Sequence, residues 1–185
     1  KYQKGNGLMT NPLNWHGFGQ YGMGGHMTDP GEYGFTQRVA HELGVNIHGS
    51  PYRDTEAGNI AALIQKLPPK DGVFVWGTSL GANNTPVTCS YVKGRTIDGA
   101  FGFQASIYGA KGFALNSNIK FAHLIYSHNP IPLPGLGAYI WPLGDMPAAS
   151  YHKTQHNIPH PGDYDVGDQN MFLAEMKRIM EHTTR

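Results

Sequence analysis

Gly77-Thr78-Ser79-Leu80-Gly81 is the one short pattern in this chain that points to a definite chemistry. A serine with a glycine two positions before and two after suits a sharp turn from a strand into a helix. The hydroxyl then projects from the rim of a sheet, and a side chain at either glycine would collide with the turn. The residue after the serine offers its backbone N–H to a developing oxyanion, at a helix N-terminus whose dipole favours negative charge. Glycine-rich chains meet so short a pattern by chance, so its context decides. Val73-Phe74-Val75-Trp76 precedes it, a continuous apolar run of the kind found in strands covered on both faces. A stretch that can be helical follows, from Leu80 to about Lys93, with Pro86 expected to kink it.

A second group with chemical potential is His152, His156, His160 and Asp163. These residue types suit a metal ion, which makes a His/Asp metal-dependent hydrolase a rival reading. Pro159 and Pro161 bar the single helix that would present all of them on one face, so no metal is expected. Cys89 is the single cysteine, which excludes an internal disulfide and a multi-cysteine zinc site. With 14 Lys and Arg against 13 Asp and Glu, the formal charge of +1 leaves no footprint for nucleic acid or an anionic membrane. No apolar run approaches the roughly 18 residues a membrane span needs. The chain starts at Lys1 with no signal-peptide pattern. That start is read as a processed or trimmed end. The compartment is left open, secreted and phage-associated both being compatible.

The elements that must position these residues read as one domain over residues 1–185, with 1–14 a peripheral, polar N-terminal segment. Its 25 Gly and 13 Pro among 185 residues imply long ordered loops. Trp15–Tyr21 is a candidate strand, though Gly17 and Gly19 make it a poor one. Asp29, Pro30 and Glu32 are helix-start signals, and Phe35, Val39 and Leu43 share one face of that helix before Gly44 stops it. A short strand over Val45–His48 follows. A second helix starts at Asp54 or Thr55, buries Ala57, Ile60, Ala61, Ile64 and Leu67, and ends at Pro68-Pro69. Further strands are expected around Ile97–Phe103 and over Ile119–Tyr126. A stiff apolar loop spans residues 128–147. A last helix is capped by Asp168 and buries Phe172, Met176, Ile179 and Met180. Strand alternating with helix predicts a three-layer α/β/α sandwich with a mostly parallel sheet.

The elbow pattern in this setting resembles the α/β-hydrolase superfamily, and within it the small lidless lipases and cutinase-like or phage-type serine esterases. In such lipases a His-Gly-x-Gly-Gly loop follows the first core strand, and Tyr21-Gly22-Met23-Gly24-Gly25 is the matching segment. His16-Gly17-Phe18-Gly19 is a competing match. The resemblance implies a minimal α/β-hydrolase fold, with Ser79 as nucleophile and the Met23 and Leu80 amides as oxyanion hole. The family order of serine, acid and histidine implies a C-terminal base. His160, just before the last helix, is favoured over His156 and His152. The family's acid position, after the strand at 119–126, holds Asn129 in Ser127-His128-Asn129-Pro130. Asp145 is the alternative acid. Asp163 and Asp165 are expected to position the last helix, Asp98 is expected to be structural, and Gln104 stands where some lipases carry the acid.

The implied activity is hydrolysis of carboxylic esters through an acyl-enzyme, by a monomer without cofactor, on a small-molecule, lipid or polyester ester. Leu133 and Trp141, with Met23, Ile131 and Leu136 nearby, are expected to favour an apolar group. A non-catalytic binding module on the same fold is the rival from another class, favoured by Asn129 where an acid belongs.

Overall fold

The apolar run at residues 73–76 lies at the centre of the sheet. The computed structural model describes residues 13–22, 30–49, 52–53, 55–103, 112–113, 115–129, 131–132, 139–140, 152–159 and 166–185. In chain order the elements are β1 (Trp15–Tyr21), α1 (Pro30–Leu43), β2 (Asn46–Ile47), β3 (Tyr52–Arg53), α2 (Ala57–Lys66), β4 (Gly72–Thr78) and α3 (Leu80–Tyr91). They continue with β5 (Gly99–Phe103), β6 (Ala122–Asn129), β7 (Ile131–Pro132), β8 (Tyr139–Ile140), β9 (His152–Pro159) and α4 (Val166–His182).

The main sheet has seven strands in the order β2-β1-β4-β5-β6-β9, with β3 also on β1. All of its pairings are parallel. Both faces of a parallel sheet need cover, because its crossovers lay helices over them. Phe18, Val73 and Val75 pack with Ile60 and Ile64 of α2 and Ala82 and Cys89 of α3. On the other face Trp15, Phe74, Trp76, Phe101 and Phe103 pack with Phe35 and Val39 of α1 and Phe172 and Met176 of α4. The result is the α/β/α sandwich expected from the alternation of elements.

Several elements differ from expectation, each for a physical reason. Gly17 and Gly19 do not weaken β1, which is a buried seven-residue strand. A Cβ on Gly17 would come within 2.7 Å of the Trp76 ring, and one on Gly19 equally close to Trp76 Nε1, so these glycines make room for the indole on the neighbouring strand. Helix α3 includes Pro86, as expected, and the Pro86 carbonyl accepts a hydrogen bond from Asn116 Nδ2. Strand β6 continues to Asn129, so Ser127 and Asn129 are strand residues and not a loop after it. The 128–147 segment contains a two-stranded antiparallel pair, β7 with β8. The polar stretch His152–Pro159, assigned no strand from sequence, is the edge strand β9. Edge strands tolerate polar residues and a terminal Pro because one side faces no partner strand. Helix α4 starts two residues before Asp168, which lies buried in its first turn.

The helix periodicities hold. Phe35 and Val39 are fully buried, and Gly44 closes α1 with φ +68° and its N–H on the Ala40 carbonyl. That left-handed conformation is the one a glycine at this position adopts without steric cost.

Phe172 ties α4 to the sheet. Its ring centroid lies 4.5 Å from that of Phe103, 5.0 Å from Phe101 and 5.3 Å from His123. Phe172→Ala is expected to lower unfolding free energy by about 3–5 kcal/mol, because the rings around the cavity cannot all close into it. Urea denaturation measures this. A loss below about 1 kcal/mol contradicts the packing described.

Candidate functional site

The elbow is built by three elements that approach closer than side chains allow. β4 ends at Thr78, and α3 begins at Leu80. Between them Ser79 has φ +51° and ψ −117°, and it is the sole non-glycine residue with positive φ among the described residues. Such a conformation costs on the order of 1–3 kcal/mol and persists where the surroundings over-determine it. Here they do. The Ser79 N–H bonds the Phe103 carbonyl at the end of β5 (3.0 Å), and the Asn83 N–H bonds the Ser79 carbonyl (3.2 Å).

Glycine is required at both flanks. A Cβ on Gly77 would overlap the Gly81 carbonyl group, and one on Gly81 would lie 2.5 Å from the Gln20 carbonyl oxygen on β1. The β1 backbone therefore runs hard against the first turn of α3. Gly22, the residue after β1, completes the contact, since a Cβ there would lie 2.7 Å from the Leu80 nitrogen. No side chain caps the start of α3. The Leu80 N–H is among the amides a helix leaves without an intrahelical partner, and only a glycine at 22 fits this close beside it. Ser79 itself is half-buried.

This geometry separates the two candidate glycine loops. His16-Gly17-Phe18-Gly19 lies within β1, so the competing match is excluded. Tyr21-Gly22 lies at the carboxyl end of β1, next to the elbow. Met23, Gln104, Leu133, Leu136, Trp141, Asp145, His160, Asp163 and Asp165 lie outside the described residues. Asn129, His152 and His156 are described by backbone alone. Register brings Ser127 beside His156 and Asn129 beside Pro159, with one extra residue on β9 between these pairs. Such bulges bend a strand and recur next to active sites. β9 therefore ends, at Pro159, on the same rim of the sheet as β4 and β6.

The histidines with described side chains do other work. His16 Nε2 lies 2.9 Å from Asp71 Oδ2, and His16 Nδ1 lies 2.7 Å from His48 Nε2. With its proton on Nε2, His16 donates to Asp71 and accepts from His48. His48 also stacks on Phe18 at 4.9 Å. This chain of groups sits where β1 and β4 start. Ser79 lies six residues beyond Val73, the register partner of His16, or about 20 Å at strand rise. His123, buried on β6, pairs with Glu175 of α4 at 2.7 Å. Asp98 is structural as expected: its buried carboxylate accepts the Val73 N–H at 2.9 Å and pairs with Arg185. Sequence reading missed the His16–Asp71 pair, because 55 residues separate the partners and only strand register brings them together. No cluster of three metal-ligating residues occurs among the described residues, and no described helix is long and apolar enough to cross a membrane.

No protein-family model matches this sequence, and no curated protein sequence matches it. Among solved structures, the chain is similar to one titled "Structural Basis for the Cyclization of the Lipopeptide Antibiotic Surfactin by the Thioesterase Domain SrfTE". The TM-score is 0.51 at 12% identity, over 93% of this chain and 94% of that one. At that identity the likeness is one of fold. The fold is that of an α/β-hydrolase, with helices on both faces of a parallel sheet.

Burial first, and the His16 ring second, hold the His48 imidazole below its ordinary value. The unfolded chain protonates it near pH 6.5, so the unfolded state binds more protons below that pH. Stability is thus complete above about pH 6.5 and falls as pH drops toward the lower folded value. The urea midpoint is expected to fall more between about pH 7 and pH 5 in wild type than in His48→Gln. Equal losses contradict this role for His48.

Proposed function

We propose that the protein is a serine carboxylic-ester hydrolase acting through an acyl-enzyme on Ser79. The observation that carries this reading is the strained backbone of Ser79 at a glycine-walled strand-to-helix turn, with Gly22 packed against the Leu80 amide nitrogen. A non-glycine residue is held in such a conformation only where the surrounding structure imposes it, and these sites cluster where chemistry is done.

The Ser79 hydroxyl attacks the ester carbonyl as His160 takes its proton. The Leu80 amide and that of Met23 stabilise the tetrahedral oxyanion. The alcohol leaves with the proton returned by His160, and water, activated by the same base, then hydrolyses the acyl-enzyme. For this step the segment after β9 has to bring His160 across three strand spacings, about 14 Å, to β4. The base is oriented by Asp145 or by Asn129, the last residue of β6. An Asp would also stabilise the imidazolium by charge, whereas an Asn can only accept its N–H. Leu133 and Trp141 line the side that receives an apolar acyl or alcohol group. No cofactor enters these steps.

A non-catalytic binding module is the second reading, favoured by an amide at the end of β6. A fluorophosphonate probe separates the two. Stoichiometric labelling that disappears in Ser79→Ala supports the hydrolase, while an unlabelled and folded protein sinks it. Gly22→Ala is expected to cut ester turnover by about 10²-fold or more with circular dichroism unchanged, because its methyl group crowds the Leu80 oxyanion donor. Asp145→Asn and Asn129→Ala identify the orienting group, whose loss is expected to lower turnover at least about tenfold.

A further inference from the structure

At the opposite rim of the sheet, where β5 and β6 begin, lies a cavity of about 400 Å³. Its wall includes Lys93, Arg95, Lys120 and Arg185, with Gln65 and Thr96 as neutral polar groups and no carboxylate. The nearest acids are committed behind the wall. Asp98 is fully buried, accepts the Val73 N–H, and pairs with Arg185 and with Lys120 at 3.6 Å. The Asp71 carboxylate is turned to His16.

The Arg95 guanidinium is fixed in place by the carbonyls of Leu67 (2.9 Å), Ile64 (3.3 Å) and Asp71 (2.5 Å). Its Nε is buried and has no hydrogen-bond partner. Lys93 donates to the neutral Ser90 carbonyl at 2.8 Å. Burial, and then the neighbouring Arg185, pull the Arg95 pKa below its ordinary value. Like charges are therefore held together here by backbone contacts.

We propose that this cavity binds a doubly charged tetrahedral oxyanion, namely inorganic phosphate or the phosphate of a monoester. Four cations against two carboxylates leave a surplus of two positive charges, which a dianion neutralises. Arg95 supplies a fixed positive charge, and the exposed Lys93 and Lys120 ammonium groups suit charge-assisted hydrogen bonds to several oxygens. An extended polyanion such as nucleic acid needs a basic stripe, whereas these groups enclose a small cavity in a chain of net charge +1. The cavity is separated from Ser79 by the length of β4 and does not rest on the ester-hydrolase reading.

Titration of the full chain with inorganic phosphate, followed by calorimetry and by ³¹P line broadening, tests the site at low ionic strength. The expected result is saturable one-to-one binding that weakens with added salt. Lys93→Gln with Lys120→Gln, both exposed positions, is expected to weaken it about tenfold or more at unchanged melting temperature. A dissociation constant above about 10 mM, or affinity unchanged in the double variant, overturns the proposal. Sedimentation with phosphatidylcholine vesicles, with and without phosphatidic acid, separates the sources. Phosphate binding together with phosphatidic-acid-dependent sedimentation assigns a lipid headgroup, and phosphate binding without it assigns a free phosphate compound.

Discussion

The structure depends on one constraint: β1, β4 and α3 meet more closely than any side chain permits. The Ser79 backbone is left-handed because β4 must turn at once into α3, whose first turn lies against the carbonyl of Gln20. Strain of about 1–3 kcal/mol is offset there by two backbone hydrogen bonds, each worth roughly 0.5–1.5 kcal/mol, and by the register that ties Gln20 to Gly77. Gly22, Gly77 and Gly81 come from three different segments, yet each has its Cβ position filled by another segment's backbone. A change at any one of them moves the other two.

The two rims of the parallel sheet divide the work. At the starts of the strands, buried acids are consumed by structure: Asp98 holds Val73 and Arg185, and Asp71 holds His16. Arg95 and Arg185 donate to carbonyls that loops leave without strand partners. At the strand ends the described residues include the Ser79 hydroxyl and the first amides of α3. Ligands of open α/β sheets gather outside the carboxyl ends of the strands, where helix N-termini point. The closed rim fixes the strands in register, and so fixes the open one.

What the sequence made legible follows from locality. The run at 73–76 and the spacing of Phe35, Val39 and Leu43 are local patterns, and both elements formed where expected. The glycines flanking Ser79 were legible from the elbow pattern, although only the need for Gly77 belongs to the turn itself, the Cβ position of Gly81 being filled by Gln20 of β1. Gly17 and Gly19 were misread because their reason is Trp76, some sixty positions away on the neighbouring strand. Strand β9 was missed because an edge strand carries no apolar run or clean alternation. The His16–Asp71–His48 group was invisible because only parallel register assembles it.

Strand β6 sharpens the question of the acid. Because it continues to Asn129, the family's acid position falls on the last ladder residue and not in a free loop. Asn129 pairs with Pro159, directly after the bulge on β9. An amide needs no counter-charge and can accept an imidazole N–H. On the proposed mechanism an uncharged residue at 129 can set the ring's tautomer and direction. Charge stabilisation of the imidazolium then has to come from a carboxylate on another segment. On that mechanism the candidate is Asp145, which falls in the sequence between β8 and β9.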